Sequence, residues 1–159
     1  MTTARARDLT RLLPSTTGRY YAVVELVQHP PSVVLIAVEG GELVLVRQSR
    51  PGSGTRTLEL PSGKLEEGEA PADAAARELA EECGLAAEVL SAIGTFWAAP
   101  GYSTELVHVF EASGLSEADP AELDDDEDIE VERLPLVGAL EALDDAASIA
   151  AFALWLERQ

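Results

Sequence analysis

The chain reads as an α/β domain, a mixed β-sheet packed between helices in an α/β/α sandwich. Three observations carry that expectation. Residues 33–38 are a β-branched run of the kind that fills a buried strand, and Glu39-Gly40-Gly41 directly after it is a hairpin signal. Pro71 stands at the start of a helical stretch and Gly84 just past its end, the asymmetry that marks a real helix. Residues 146–156 near the carboxyl end read as a second helix, apolar on one face.

Each element follows in order. Residues 18–28 alternate weakly as a strand does, and His29-Pro30-Pro31 breaks it. Residues 33–38 are followed across the hairpin by a return strand, residues 43–46. Pro51-Gly52-Ser53-Gly54 is a flexible loop, and residues 57–60 form a short strand leading to the first helix. Residues 87–97 and 105–112 read as two more strands, joined by Pro100-Gly101-Tyr102-Ser103. Residues 129–134 look like a final strand, and residues 137–143 look helical ahead of residues 146–156. The chain shows no internal repeat.

At 159 residues, one domain spanning 1–159 is the simplest organisation, with residues 1–17 a loosely ordered amino-terminal segment. The formal net charge of −18 argues against nucleic acid and against anionic membrane, since both need basic patches. It leaves room for a small anionic substrate, because a bound cation inverts the local charge. Cys83 is the only cysteine, so no internal disulfide forms and nothing points to secretion. The opening MTTARARDLTRLLP has no apolar stretch long enough for a signal peptide's core, and no run approaches a membrane span. A soluble, reducing, cytoplasmic setting is the expectation. His29 and His108 lack metal-ligand partners at suitable spacing and read as structural. Trp97 and Tyr102 could stack on something planar, although such aromatics more often belong to a core.

The chemistry concentrates in residues 63–85, GKLEEGEAPADAAARELAEECGL. Gly63 is followed by five residues and Glu69, then by seven residues and Arg77-Glu78. Leu79, the pair Glu81-Glu82, Gly84 and Leu85 complete the frame. At about 100° per residue, Glu78, Glu81 and Glu82 fall within one third of the helix circumference. Like charges so placed oppose one another by roughly 0.2–0.5 kcal/mol per pair. A divalent cation removes that opposition, since hard metals favour carboxylate oxygens and retain waters and substrate phosphates as further ligands. The plainer alternative is a solvated acidic helix face.

The run resembles the Nudix box, with every defining position filled. That resemblance makes Glu78 and Glu82 the principal metal ligands, and Glu81 a ligand to a further ion or to a metal-bound water. It turns the backbone carbonyl of Ser62 toward the metal, and makes Mg²⁺ or Mn²⁺ the expected cofactor. Glu69 and Arg77 would form a structural ion pair, with Gly63 and Gly84 as structural positions. Cys83 fills a free position of the box and has no catalytic role.

Outside the box, the chain resembles the ADP-ribose pyrophosphatase branch over residues 25–136. Val46-Arg47-Gln48-Ser49-Arg50 looks like that branch's strand end, and Leu58-Glu59-Leu60-Pro61-Ser62-Gly63 like its entry to the box. Pro100 lies at the branch's spacing after the box, within Ala99-Pro100-Gly101-Tyr102-Ser103-Thr104-Glu105. The resemblance implies that Arg50 holds a diphosphate oxygen by a forked contact that lysine could not reproduce, with Arg47 nearby. Without the resemblance, Arg50 reads equally well as a surface salt bridge. Glu25 matches a position that accepts from the adenine amino group, and Ser103 and Glu105 would face the terminal ribose. Ser49 stands where the branch often has tyrosine, and Val24 where a contact arginine is common. Both departures concern the adenosine end and leave the diphosphate and metal positions intact.

The implied activity is metal-dependent hydrolysis of a nucleoside diphosphate linked to a second group, with ADP-ribose giving AMP and ribose 5-phosphate. The alternatives are another small-molecule nucleotide substrate (a nucleotide sugar, a flavin dinucleotide or an oxidised nucleoside triphosphate) or a nucleotide-binding regulator without turnover. The family further implies a homodimer in which amino-terminal strands cross to the partner, putting Glu25 in the other subunit's site. Asp124-Asp125-Asp126-Glu127-Asp128 reads either as solvated loop or as a mobile loop that brings a general base to the attacking water. The branch carries a catalytic glutamate near here. Glu127 matches it best and Asp125 second.

Overall fold

A computed structural model describes residues 10–12, 23–118 and 128–159. The elements run β1 (Thr10–Leu12), β2 (Val23–Glu25), β3 (Ser32–Glu39), β4 (Glu42–Arg50), β5 (Thr55–Glu59), β6 (Ser62–Lys64), α1 (Pro71–Cys83), β7 (Leu85–Trp97), β8 (Leu106–Glu117), β9 (Glu130–Pro135), α2 (Leu136–Ala142) and α3 (Ala146–Leu156). Seven strands form a mixed sheet in the order β5-β4-β3-β8-β7, with β6 paired to β3 and β9 to β4. β3 runs parallel to β8, and the other pairs are antiparallel. β3 and β4 hold register only at their hairpin end, Val38 with Leu43 and Glu39 with Glu42. Beyond that point β6 takes the free edge of β3, and so brings the box glycine into the sheet.

Helices cover both faces, as the sandwich reading requires. Val33, Leu35 and Ala37 pack with Ala74, Ala75 and Leu79 of α1. Val34 and Ile36, alternating with them, pack with Ala151, Phe152 and Trp155 of α3. A strand buried on both faces has no polar side to show, which is why residues 33–38 are continuously apolar. Phe152 and Trp155 stack with ring centroids 5.6 Å apart, and the Trp155 indole donates to Glu111 at 2.8 Å. Burial pushes the Cys83 thiol up to about 12, so it stays protonated and unreactive at neutral pH.

Several elements differ from the sequence reading. β4 runs on past Val46 to Arg50, because β5 continues its ladder through polar residues that show no apolar pattern. β7 and β8 extend to a hairpin of 13 and 12 residues whose far end is half exposed. The expected helix at 137–143 is broken: Val137 and Gly138 are non-helical, with Gly138 at φ 87°. Of the strand expected at 18–28, the described part is β2, paired in a separate ribbon with β1, which was not anticipated. Val27 then bridges to Ser103. Trp97 and Tyr102 are mostly exposed and are not core. Among the described residues no helix is long and apolar enough to cross a membrane.

Candidate active site at the acidic helix

An open cavity of about 650 Å³ lies where α1, β6, the ends of β4 and β5, and the start of α3 converge. α1 supplies its acidic wall. The helix starts at Pro71 and stops because Gly84, at φ 65°, turns left-handed and returns its N–H to the Ala80 carbonyl. Ala74, Ala75 and Leu79 anchor one face on the sheet, and Glu78 and Glu82, one turn apart, are carried into burial at its flank. Glu82 Oε2 accepts the Ser62 N–H at 2.8 Å. The Glu78 carboxylate lies against Gly63, so closely that a β-carbon there would meet an oxygen at 1.8 Å.

Arg77 ties these acids together. Its Nη1 donates to Glu78 and to Glu81, each at 2.8 Å. Nε and Nη2 donate to Glu69 at 2.9 and 3.1 Å, and Nη2 also reaches the Lys64 carbonyl at 3.0 Å. The Arg77 bonds hold Glu69 below the usual carboxylate range, and the same acids, Glu69 foremost, raise Arg77. Glu69 also accepts the Glu66 N–H at 2.8 Å, which pins the loop before the helix.

The donor set suits a hard divalent cation: carboxylate oxygens of Glu78, Glu81 and Glu82, beside a backbone with no β-carbon to fill the space. In the present arrangement the guanidinium of Arg77 supplies the positive charge between Glu78 and Glu81. Among the described residues, no three acidic, histidine or cysteine side chains form a ready-made metal cage. A cation that brings its own waters and substrate oxygens needs none.

Across the cavity, β4 and β5 present a paired arginine and glutamate, Arg50 and Glu59. Glu59 is 4% exposed and receives Arg50 Nε at 3.0 Å and Nη2 at 2.7 Å. Thr57 Oγ1 adds a bond to Glu59 at 2.6 Å. Arg50 is raised above its ordinary value, chiefly by its hydrogen bonds to Glu59. Two polar atoms on this side are buried without a hydrogen-bond partner among the described residues, Gln48 Nε2 and Asp145 Oδ2. Each such orphan is unfavourable by about 1–3 kcal/mol. At a third wall, Ser32 Oγ donates to Glu105 at 2.8 Å, and His29 Nδ1 lies 3.8 Å from the same carboxylate.

The cavity thus gathers Glu78, Glu81, Glu82, Ser62, Gly63, Arg77, Arg50 and Glu105. Glu69 is bound to it through Arg77, and Gly84 ends the helix away from it. Arg47 does not line the cavity. It follows Val46 in a strand whose side chains alternate faces, and it pairs with Glu132 on β9. Ser103 is also absent from the walls. It is buried and accepts the Glu105 N–H at 3.2 Å, which shapes the turn that presents Glu105. The side chain of Glu25 lies outside the described residues, as do Asp125 and Glu127.

Sequence reasoning passed over Gln48, Glu59, Asp145 and His29, all of which line the cavity. Asp145 had a signal, since an aspartate just before an apolar helical run is an N-cap. It does cap α3, accepting from the Ala147 and Ser148 N–H groups at 2.9 Å. His29 had none, because bonds to a residue 75 positions away bring it to the wall: its N–H donates to Thr104 Oγ1 at 2.8 Å, and its carbonyl accepts from the same hydroxyl at 3.1 Å.

The chain is similar to an ADP-ribose pyrophosphatase of Bacillus subtilis (strain 168), 42% identical over 76% of this chain and 66% of that protein. It is 39% identical to a methanol dehydrogenase activator of Bacillus methanolicus, over 74% of this chain and 64% of that one. It therefore spans just under two thirds of the length of these relatives. Among solved structures, a crystal structure of an ADP compounds hydrolase superposes with a TM-score of 0.81 at 26% identity, covering 99% of this chain and 90% of the other. The NUDIX domain family model matches residues 28–156, and with its box filled and folded around one cavity the chain belongs to the Nudix family.

Proposed function

We propose that this protein hydrolyses the diphosphate bond of a nucleoside diphosphate joined to a second group, with ADP-ribose as the preferred substrate and AMP and ribose 5-phosphate as products. The observation that supports this most is the pairing of two buried carboxylates, Glu78 and Glu82, with a fixed guanidinium, Arg50, across one open cavity. The working unit in this reading is a single Nudix domain.

Arg50 spends Nε and Nη2 on Glu59, which fixes its plane and leaves Nη1 for a diphosphate oxygen. Glu78, Glu81 and Glu82, with the Ser62 carbonyl, would hold Mg²⁺ or Mn²⁺, which neutralises diphosphate charge and makes water more acidic. The oxygen of an attacking water joins one phosphorus as the bridging P–O bond breaks, and its proton passes to a carboxylate. Glu127 is the first candidate for that base, Asp125 the second and Glu81 the third. Glu105, held by Ser32, is placed to accept from sugar hydroxyls.

A panel of purified substrates tests the reading. ADP-ribose should show a higher kcat/KM than any nucleoside triphosphate, nucleotide sugar or flavin dinucleotide. An oxidised deoxynucleoside triphosphate in first place would overturn it, and no turnover on any of them would leave a nucleotide-binding regulator. A homodimer accompanies this proposal. The exposed Val27, Trp97 and Tyr102 and the separate β1–β2 ribbon support it, and sedimentation of a fully active monomer at micromolar concentration would exclude it.

A further inference from the structure

We propose that Arg77 Nη1 is a built-in rival of the metal, and that Glu78 and Glu81 exchange it for the divalent cation they bind. The inference rests on the reading of the acidic helix as a metal site and goes one step further, to what metal binding must displace. Arg77, with 26% of its side chain exposed, divides its donors between two tasks. Nε and Nη2 serve the loop before α1: both donate to Glu69, at 2.9 and 3.1 Å, and Nη2 also donates to the Lys64 carbonyl at 3.0 Å. Nη1 turns instead to the helix acids, 2.8 Å from Glu78 Oε1 and 2.8 Å from Glu81 Oε2. One nitrogen thus bridges two of the carboxylates that suit the cation.

The guanidinium is planar and rigid, so its bonds to Glu69 and Lys64 fix where Nη1 stands. The acids are on flexible side chains, and Glu81 keeps 36% of its side chain exposed. A cation bridging both acids beside that nitrogen would meet a fixed positive charge a few ångströms away, and a half-buried site screens such repulsion poorly. The acids therefore change partners while Arg77 stays with the loop. Each cation bound displaces two charge-assisted hydrogen bonds, so the site holds metal less tightly than its carboxylates alone would. An arginine that only propped up the ligands would act in the opposite sense, since loss of such support weakens metal binding by about 10–100-fold. The sign of the change on removing Arg77 separates the two roles.

Two measurements on the full chain, neither involving turnover, decide it. Calorimetric titration of Mn²⁺ into wild type and Arg77→Gln, without substrate, should show the variant binding about tenfold tighter. Unchanged or weaker binding overturns the proposal. The second measurement needs only wild-type protein, so it stands even where the variant fails to fold. Heteronuclear NMR of the Arg77 guanidinium follows its two halves separately as Mg²⁺ is added. The Nε proton should stay protected by Glu69, while the Nη1 protons should exchange with water about tenfold faster or more. Nη1 protons that remain protected at saturating Mg²⁺ overturn the proposal. Wild type that binds no Mn²⁺ would remove the metal reading and the exchange together. Tighter binding by Arg77→Gln, in a protein whose wild type hydrolyses no diphosphate, would keep the exchange and sink the proposed activity.

Discussion

The carboxylate of Glu78 occupies the space that a β-carbon on Gly63 would need, with its oxygens 1.8 and 2.2 Å from that position. Gly63 is therefore required by contact, and its backbone angle is not among the left-handed ones. Because the obstacle is the end of a flexible side chain, Gly63→Ala should fold and displace Glu78. Mg²⁺ or Mn²⁺ affinity should fall by about 10–100-fold, as when a ligand loses its support. Titration of Mn²⁺ into the variant checks this, and wild-type affinity would contradict it.

Glu82→Gln should remove nearly all turnover and leave the fold intact. Glutamine can still accept the Ser62 N–H that Glu82 now receives at 2.8 Å, so the loop stays in place. The lost charge weakens cation binding and transition-state stabilisation by several kcal/mol, or about 10²-fold or more in kcat. Wild-type kcat at saturating Mg²⁺ would show that the metal assignment is wrong.

Arg50→Lys should raise KM for ADP-ribose by about tenfold or more with a smaller change in kcat. Lysine keeps the charge, but it cannot bind Glu59 through two nitrogens and still face a diphosphate oxygen. Glu59→Gln should move KM the same way by releasing Arg50. Steady-state kinetics on both variants decides it. Unchanged KM in both would return the pair to a purely structural role.

The Glu69–Arg77 pair predicts a pH signature in stability rather than in chemistry. Glu69 titrates lower in the folded protein than an ordinary glutamate because it accepts from Arg77. The pair's stabilisation is thus fully present above the ordinary glutamate value and is lost as pH falls through the lowered folded value. Glu69→Gln should destabilise by about 1–2 kcal/mol at neutral pH. The gap to wild type should close as unfolding is measured from about pH 7 down to about pH 3. A gap independent of pH would refute the ion-pair account.

Glu127→Gln should lower kcat by about 10²–10⁴-fold, the usual effect of losing a general base, with less change in KM. Asp125→Asn, measured beside it, settles the register within the acidic run. Near-wild-type values for both would make residues 124–128 solvated surface and move attention to Glu81.

The acidic helix was legible residue by residue. Pro71 and Gly84 fixed its ends, and the spacing of Glu78, Glu81 and Glu82 put three carboxylates on one side, because helix periodicity is a local property of the chain. The apolar run in β3 likewise announced a strand covered on both faces. The opposite wall could not be read this way. Glu59 finds Arg50 across a strand pairing, Asp145 arrives from more than sixty residues beyond α1, and His29 is placed by Thr104. Arg47 and Arg50 look interchangeable in sequence, yet strand alternation sends one to Glu132 and the other to the cavity. The sequence by itself determined the acidic helix and the buried strand β3, and where the carboxylate chemistry gathers. Tertiary structure alone decided which distant polar groups meet that chemistry, because contacts between strands depend on register and twist and have no local pattern to reveal them.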